Sequence, residues 1–192
     1  MLLGATQFFH SPHCNAIIFR ESYSQLRDPD GLITVAEEWF EQDPRVEYNR
    51  QRSIFTSQEG GTIQFAYLSN MADARRWRGS GRTFIGFDEA SEIPSDAMDY
   101  VAAWLRRLEH VEIPLQIRYA SNPGGVSHHW LKERFVDAPN TRSRVFLPAT
   151  VDDNPHADPE EYRANLADRS PITARQIGYG DWDVQFATGF LA

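Results

Sequence analysis

Arg82-Thr83-Phe84-Ile85-Gly86-Phe87-Asp88-Glu89-Ala90-Ser91-Glu92 sets the reading of the whole chain. Residues 83–87 are β-branched and aromatic, with one glycine and no charge, as expected of a strand buried on both faces. Two carboxylates, Asp88 and Glu89, follow at once. In an open α/β sheet, ligands bind beyond the carboxyl ends of the strands, so an acidic pair there is aimed at a crevice rather than at bulk water. The same pair would also serve as favourable charge near the start of a following helix.

Around that stretch, 192 residues suffice for one domain with a proper core. Apolar residues at 41% and aromatics at 12% indicate a folded globular chain. No run of 18 or more apolar residues exists to cross a membrane. The opening residues 1–10 lack a basic leader and a small-residue cleavage pattern, so a cytoplasmic protein is expected. Cys14 is the only cysteine, which excludes an intrachain disulfide and paired thiolate metal sites. The net charge of −8 speaks against a nucleic-acid partner on bulk charge alone. The positive charge, however, is almost all arginine, with Lys132 the sole lysine, and Arg75, Arg76, Arg78 and Arg82 cluster just ahead of the acidic pair. The rigid guanidinium fork suits phosphate oxygens, so a local anion site in an acidic protein is expected.

Outward from 82–92, strands and helices alternate. Residues 1–12 read as the back half of a helix stopped at Ser11-Pro12, and 15–19 as a buried strand ending at Arg20. A helix within 23–42 carries Leu32, Val35, Trp39 and Phe40 on one side. Residues 53–58 and 62–68, joined at Glu59-Gly60-Gly61, form a hairpin, and 70–81 is a polar connection. The spacing of Met98, Val101, Trp104, Leu105 and Leu108 predicts a helix over 96–110. Strands over 115–120 and 143–147, and helices over 129–135 and 159–167, complete the pattern. The expected fold is α/β, a mostly parallel central sheet with flanking helices and one antiparallel hairpin.

An apolar strand ending in Asp-Glu is the Walker B arrangement of P-loop ATPases, in which the first carboxylate holds Mg²⁺ and the second orients the water attacking the γ-phosphate of ATP. Read together, 16–20 (Ala-Ile-Ile-Phe-Arg), Arg78-Gly79, 85–90, Ser121-Asn122-Pro123-Gly124-Gly125, Asp153-Asn154-Pro155 and Gly180-Asp181-Trp182 resemble the ATPase domain of the large terminase subunit of tailed bacteriophages. That resemblance implies a P-loop NTPase fold of RecA-like (ASCE) type and a role in an ATP-driven motor that moves double-stranded DNA into procapsids. It also implies a ring of terminase subunits, contact with the small terminase subunit and portal, and the bacterial cytoplasm as location. Asp88 would then be the metal-side carboxylate and Glu89 the catalytic one. Arg78 would be the arginine finger, with Arg76 and Arg82 as alternatives one register error away. Asn122 would be the γ-phosphate-sensing residue of the coupling motif, and Arg20 a nucleotide or DNA contact. By the same resemblance, residues 1–178 are a partial ATPase domain and 179–192 its end, leading toward a nuclease domain.

One family element is missing from the sequence: no Gly-rich loop ending in Lys-Ser or Lys-Thr occurs. The expected fold therefore lacks its first strand and Walker A loop, and the chain alone is expected to bind ATP poorly. Two other readings stand beside the ATPase fragment. One is a non-catalytic prophage remnant or split subunit acting only by association. The other is a metal-dependent hydrolase using Asp88, Glu89 and His128, His129 and His156, whose neighbours Asp152, Asp153 and Asp158 lie in a turn-forming stretch.

Overall fold

The computed structural model describes residues 1–184. The chain divides into two compact units, Met1–Ser121 and Asn122–Ala192, each taken by itself below.

The first unit is built on a six-stranded sheet in the order β2-β3-β4-β1-β5-β6. Its strands are β1 (Asn15–Arg20), β2 (Val46–Asn49), β3 (Ile54–Ser57), β4 (Thr62–Tyr67), β5 (Phe84–Asp88) and β6 (Gln116–Ala120). Strands β4, β1, β5 and β6 run parallel, in the register Arg20↔Tyr67, Phe19↔Phe87 and Asp88↔Ala120. Strands β2 and β3 add antiparallel to β4. The mostly parallel sheet and the hairpin expected from the sequence are both present. β5, the strand of the 82–92 stretch, has a neighbour on each side, and Phe84 to Phe87 are buried. The outer edge of β6 pairs with no strand among the described residues.

Alternation along β1 divides the core. Ala16 and Ile18 pack with Leu2 and Ala5 of α1 (Leu2–Thr6), Leu26 of α2 (Tyr23–Leu26), and Ile33 and Ala36 of α3 (Leu32–Phe40). Phe19, one residue on, takes the other face, where it stacks on Phe87 at 5.8 Å between centroids and meets Trp77 edge-on at 5.5 Å. Trp77 follows α4 (Met71–Arg75), which packs against α5 (Ser95–Ala102). The second unit holds α6 (His128–Leu131) with a π turn after it, α7 (Pro159–Leu166) and α8 (Pro171–Tyr179). There Trp182 stacks on His128 at 5.3 Å.

Several local expectations are corrected. The segment 23–42 holds two helices, α2 and α3; the buried positions are Leu26 of α2 and Ile33 and Ala36 of α3, with Trp39 48% exposed. The apolar stripe read from the sequence lies at the edge of the buried face instead of its centre. The helix expected over 96–110 stops at Ala102, because the carbonyl of Trp104 accepts from Arg82 N at 3.0 Å rather than continuing the helical ladder. No strand forms over 143–147: Leu147 is 81% exposed, and a single bridge, Thr141↔Arg144, is all the pairing there. The connection 70–81 contains α4, capped by Asn70, whose side chain accepts from Asp73 N.

Candidate functional site

The carboxyl ends of β1 and β5 place Arg20 and Asp88 side by side, with Arg20 Nη1 3.5 Å from Asp88 Oδ2. Both side chains are mostly buried, at 22% and 17% exposure. Arg20 is held at its base by its carbonyl, which accepts from Leu68 N, and at its tip by a bond from Nη1 to the carbonyl of Gln25 at 3.4 Å. Its Nε is buried without a partner. A buried guanidinium donor left unused beside a carboxylate is a group arranged to receive a further acceptor.

Glu89 follows Asp88 in the left-handed conformation, φ 49° and ψ 49°, uncommon for a residue with a Cβ. A short 3-10 turn, Ala90–Glu92, then leads toward α5. Positive φ lets the chain leave the strand tip sharply and sets two successive carboxylates at its end. Such backbone strain at a side chain with chemical potential is a recognised mark of a functional position. Neither carboxylate accepts a hydrogen bond among the described residues. Burial raises the pKa of Asp88, opposed by Arg20 and the terminal ammonium. Burial also raises that of Glu89, and the charge of Asp88 adds to it. Two adjacent, half-desolvated carboxylates with unused lone pairs are relieved by a cation, and an all-oxygen donor set suits a hard ion such as Mg²⁺. The residues present fit the metal that the sequence implies.

The turn after Glu89 is tied to the next strand. Ser91, buried, donates its N–H to Ser121 Oγ at 2.9 Å, directly past the end of β6. No local sequence pattern signals that bond. Gly86 matters on the same strand: a Cβ there would lie 2.6 Å from Met1 Sδ, so glycine admits the start of α1 against β5.

The four clustered arginines separate. Arg82 is 8% exposed and lies at the amino end of β5, away from the acidic pair. Arg76 is engaged by Asp73 and by Tyr67 Oη. Arg75 and Arg78 are exposed, and neither forms an ion pair among the described residues. The structure thus brings Arg20, Asp88 and Glu89 together and leaves Arg78 free of both acids. Asn122 begins the second unit, two residues after Ala120 of β6. His128 accepts at Nδ1 from Gly124 N. No group of three His, Cys, Asp or Glu placed to hold a metal occurs among the described residues. None of the described helices is long and apolar enough to cross a membrane.

The family model for the terminase large subunit, T4likevirus-type, N-terminal, matches residues 1–184. No curated protein matches the sequence significantly. Among solved structures, the large terminase of a thermophilic bacteriophage aligns with a TM-score of 0.71 at 18% identity, over 94% of this chain and 43% of that one. The same protein in complex with ATP-γ-S aligns at 0.69 and 19% identity, over 94% and 42%. The large terminase ATPase domain of Thermus phage P74-26 aligns at 0.60 and 19% identity, over 93% and 80%. At these identities the likeness establishes the fold. The present chain spans less than half the length of the thermophilic bacteriophage protein.

Proposed function

Because the chain belongs to the family of T4likevirus-type terminase large subunits, whose N-terminal region it matches, we propose that it is the ATPase part of a phage motor that drives double-stranded DNA into procapsids. The observation that carries this is the Asp88–Glu89 pair. It leaves the tip of an interior parallel strand, half-buried, without hydrogen-bond donors and beside Arg20. The thermophilic bacteriophage terminase in complex with ADP or ATP-γ-S supports nucleotide as the ligand class.

In this reading Asp88 would hold Mg²⁺, which when bound neutralises charge on the β- and γ-phosphates. Glu89 takes up the proton of, and orients, the attacking water, and its raised pKa brings it nearer to neutral pH for that task. Arg20 fixes Asp88 and directs its unused Nε–H toward phosphate oxygen. Asn122 senses the γ-phosphate from beyond β6, and the Ser91–Ser121 bond links that strand end to the Glu89 turn. Arg78, exposed and unpaired, reaches the nucleotide of a neighbouring subunit in a ring, a contact worth ~10³–10⁵ in rate. DNA is held by its backbone without base readout. The small terminase subunit and portal are the further partners, in the host cytoplasm.

The sequence holds no Walker A loop, so the 192 residues by themselves hydrolyse ATP negligibly. A second reading is that the polypeptide acts only by associating with another chain. An ATPase assay of the 192-residue chain, beside one extended by its in-frame upstream coding sequence, separates the two. Turnover that appears only on extension by a Gly-rich Lys-Ser segment, and is lost in Glu89→Gln, supports the motor ATPase. An upstream region without such a segment supports association alone. Robust turnover by the 192 residues, abolished in Glu89→Gln, overturns the claim of inactivity.

A further inference from the structure

At the opposite, amino-terminal ends of β1 and β5 lies a second cluster of polar and basic groups that the hydrolytic site does not use. A cavity of about 220 Å³ opens there, lined by His13, Asn15, Thr83, Arg106 and Arg107 over an apolar floor that includes Val111. That is ample for one phosphate group. Its wall is fixed by backbone pairing, Arg82 N to Trp104 O at 3.0 Å and Arg106 N to Arg82 O at 2.8 Å. The side chain of Arg106 lies over Gly81, where a Cβ would come within 2.8 Å of Nε, and its Nη2 donates to Gly79 O at 2.7 Å. Arg107 Nη1 donates to Ile113 O at 2.5 Å. His13 meets His110 edge-on at 5.8 Å.

Arg82 does not itself line the cavity; it lies behind Asn15, only 8% exposed, with its guanidinium over the Trp77 ring. Its two terminal nitrogens donate to Asn15 Oδ1 at 2.7 Å and Gln64 Oε1 at 2.9 Å, both neutral, and its Nε has no partner. Burial pushes its pKa down to about 10. None of Arg82, Arg106 and Arg107 forms an ion pair with a carboxylate among the described residues. Glu109 and Glu112, the acids nearest in sequence, do not line the cavity. A chain with net charge −8 therefore places two guanidiniums without a carboxylate partner at this cavity, with a third, buried, behind Asn15. Two guanidiniums at a cavity wall with no carboxylate partner among the described residues suit an anion.

We propose that this cavity is a phosphate-binding site, in which Arg106 and Arg107 donate to the anion's oxygens, His13 flanks it and Arg82 supplies positive field from behind through Asn15. Guanidinium forks on a phosphate give short charge-assisted bonds. Two sources carry that chemistry, free inorganic phosphate and the backbone of double-stranded DNA.

Calorimetric titration of the full chain with sodium phosphate, and separately with a short DNA duplex over a salt series, tests the site. The R106Q/R107Q double variant is compared with Arg50→Gln, an exposed arginine in the turn between β2 and β3. Because residues 106 and 107 are exposed, the double variant keeps its fold, which a melting curve verifies. We expect phosphate binding to weaken roughly tenfold or more in the double variant, as for lost bonds to a charged group. For the duplex we expect the slope of log affinity against log salt to become shallower by about 1–2. Loss in the duplex titration alone identifies backbone phosphate as the occupant, and loss in the phosphate titration alone identifies the free anion. A double variant indistinguishable from Arg50→Gln with both ligands overturns the proposal. Neither substitution touches Asp88 or Glu89, so that failure leaves the hydrolytic reading standing.

Discussion

Ser121 Oγ accepts the backbone N–H of Ser91 at 2.9 Å, joining the end of β6 to the turn that carries Glu89. Ser91 is buried, so removing its acceptor leaves a desolvated donor. Ser121→Ala is expected to lower stability by about 1–3 kcal/mol. At ~2–4 °C per kcal/mol for a chain of this size, a thermal melt resolves that. Ser121→Thr, which keeps the hydroxyl, restores most of the loss. A Ser121→Ala protein that melts with the wild type would show that the bond does not fasten the turn.

Glu89→Gln is expected to stabilise the fold at neutral pH and to do so less in acid. Burial and the neighbouring Asp88 raise the pKa of Glu89 above its ordinary 4.5, so the folded state binds the proton more tightly than the unfolded chain. Below the unfolded value both states are protonated and nothing is lost. As pH rises through the raised folded value, the carboxylate must be held charged and part-buried, and stability falls. Glutamine removes that cost, so the variant should melt above the wild type at pH 7. Melts at pH 7.5 and pH 4 check the sign: a gain that grows in acid contradicts the burial explanation.

Glu89→Gly tests the backbone separately from the charge. Glycine adopts φ 49° without the Cβ clash, a relief of roughly 1 kcal/mol, against a modest entropy cost in the unfolded chain. The melting midpoint at pH 4, where the charge contributes little, should match or exceed that of Glu89→Gln. A midpoint well below it would mean that the left-handed turn is enforced by contacts of the side chain.

The sheet is legible in the sequence because its strands are short apolar runs bounded by turn residues. Residues 83–87 and the 53–68 hairpin need no long-range information: burial on both faces marks the composition of the first, and alternating burial and a glycine turn mark the second. What fails depends on partners distant in sequence. Trp104 and Leu105 continue the helical spacing of Met98 and Val101, yet their backbone pairs with Arg82, 22–23 positions earlier. Residues 143–147 have strand composition and no strand to pair with among the described residues. The Asn70–Asp73 cap is a readable helix start, masked by the polar, arginine-rich stretch that it opens. In the site, the carboxylate pair is visible in the sequence. The ion pair of Asp88 with Arg20 is not, because it follows from the register of two strands nearly 70 residues apart.

That ion pair is expected to contribute little to stability. Its atoms are 3.5 Å apart and each side chain keeps about a fifth of its surface in water, and partly solvated pairs couple by roughly 0.2–1 kcal/mol. A double-mutant cycle with Arg20→Gln and Asp88→Asn measures the coupling. A value above about 2 kcal/mol would make the pair structural and count against its being kept for a ligand.

Gly61→Ala is expected to be among the most damaging small substitutions in the first unit. Gly61 stands between β3 and β4, where its N–H is taken by Ser57 Oγ at 3.1 Å and its carbonyl by Ser57 N at 2.9 Å. A Cβ there would fall 2.0 Å from the carbonyl oxygen of Phe9 and 2.6 Å from that of Ser11. Both obstacles are backbone, in the segment between α1 and β1 that carries the buried Phe9, so no rotamer change relieves the clash. Either the hairpin or that segment must move, at a cost of about 1–3 kcal/mol or more. Gly79→Ala is the comparison: Gly79 has positive φ, 80°, but a Cβ there meets nothing within 4 Å. Its loss should be limited to the backbone strain of roughly 1–2 kcal/mol. Chemical denaturation of both variants decides the matter. If Gly61→Ala unfolds at the same denaturant concentration as wild type, the close approach of residues 9–11 to the hairpin is not a feature of the folded protein.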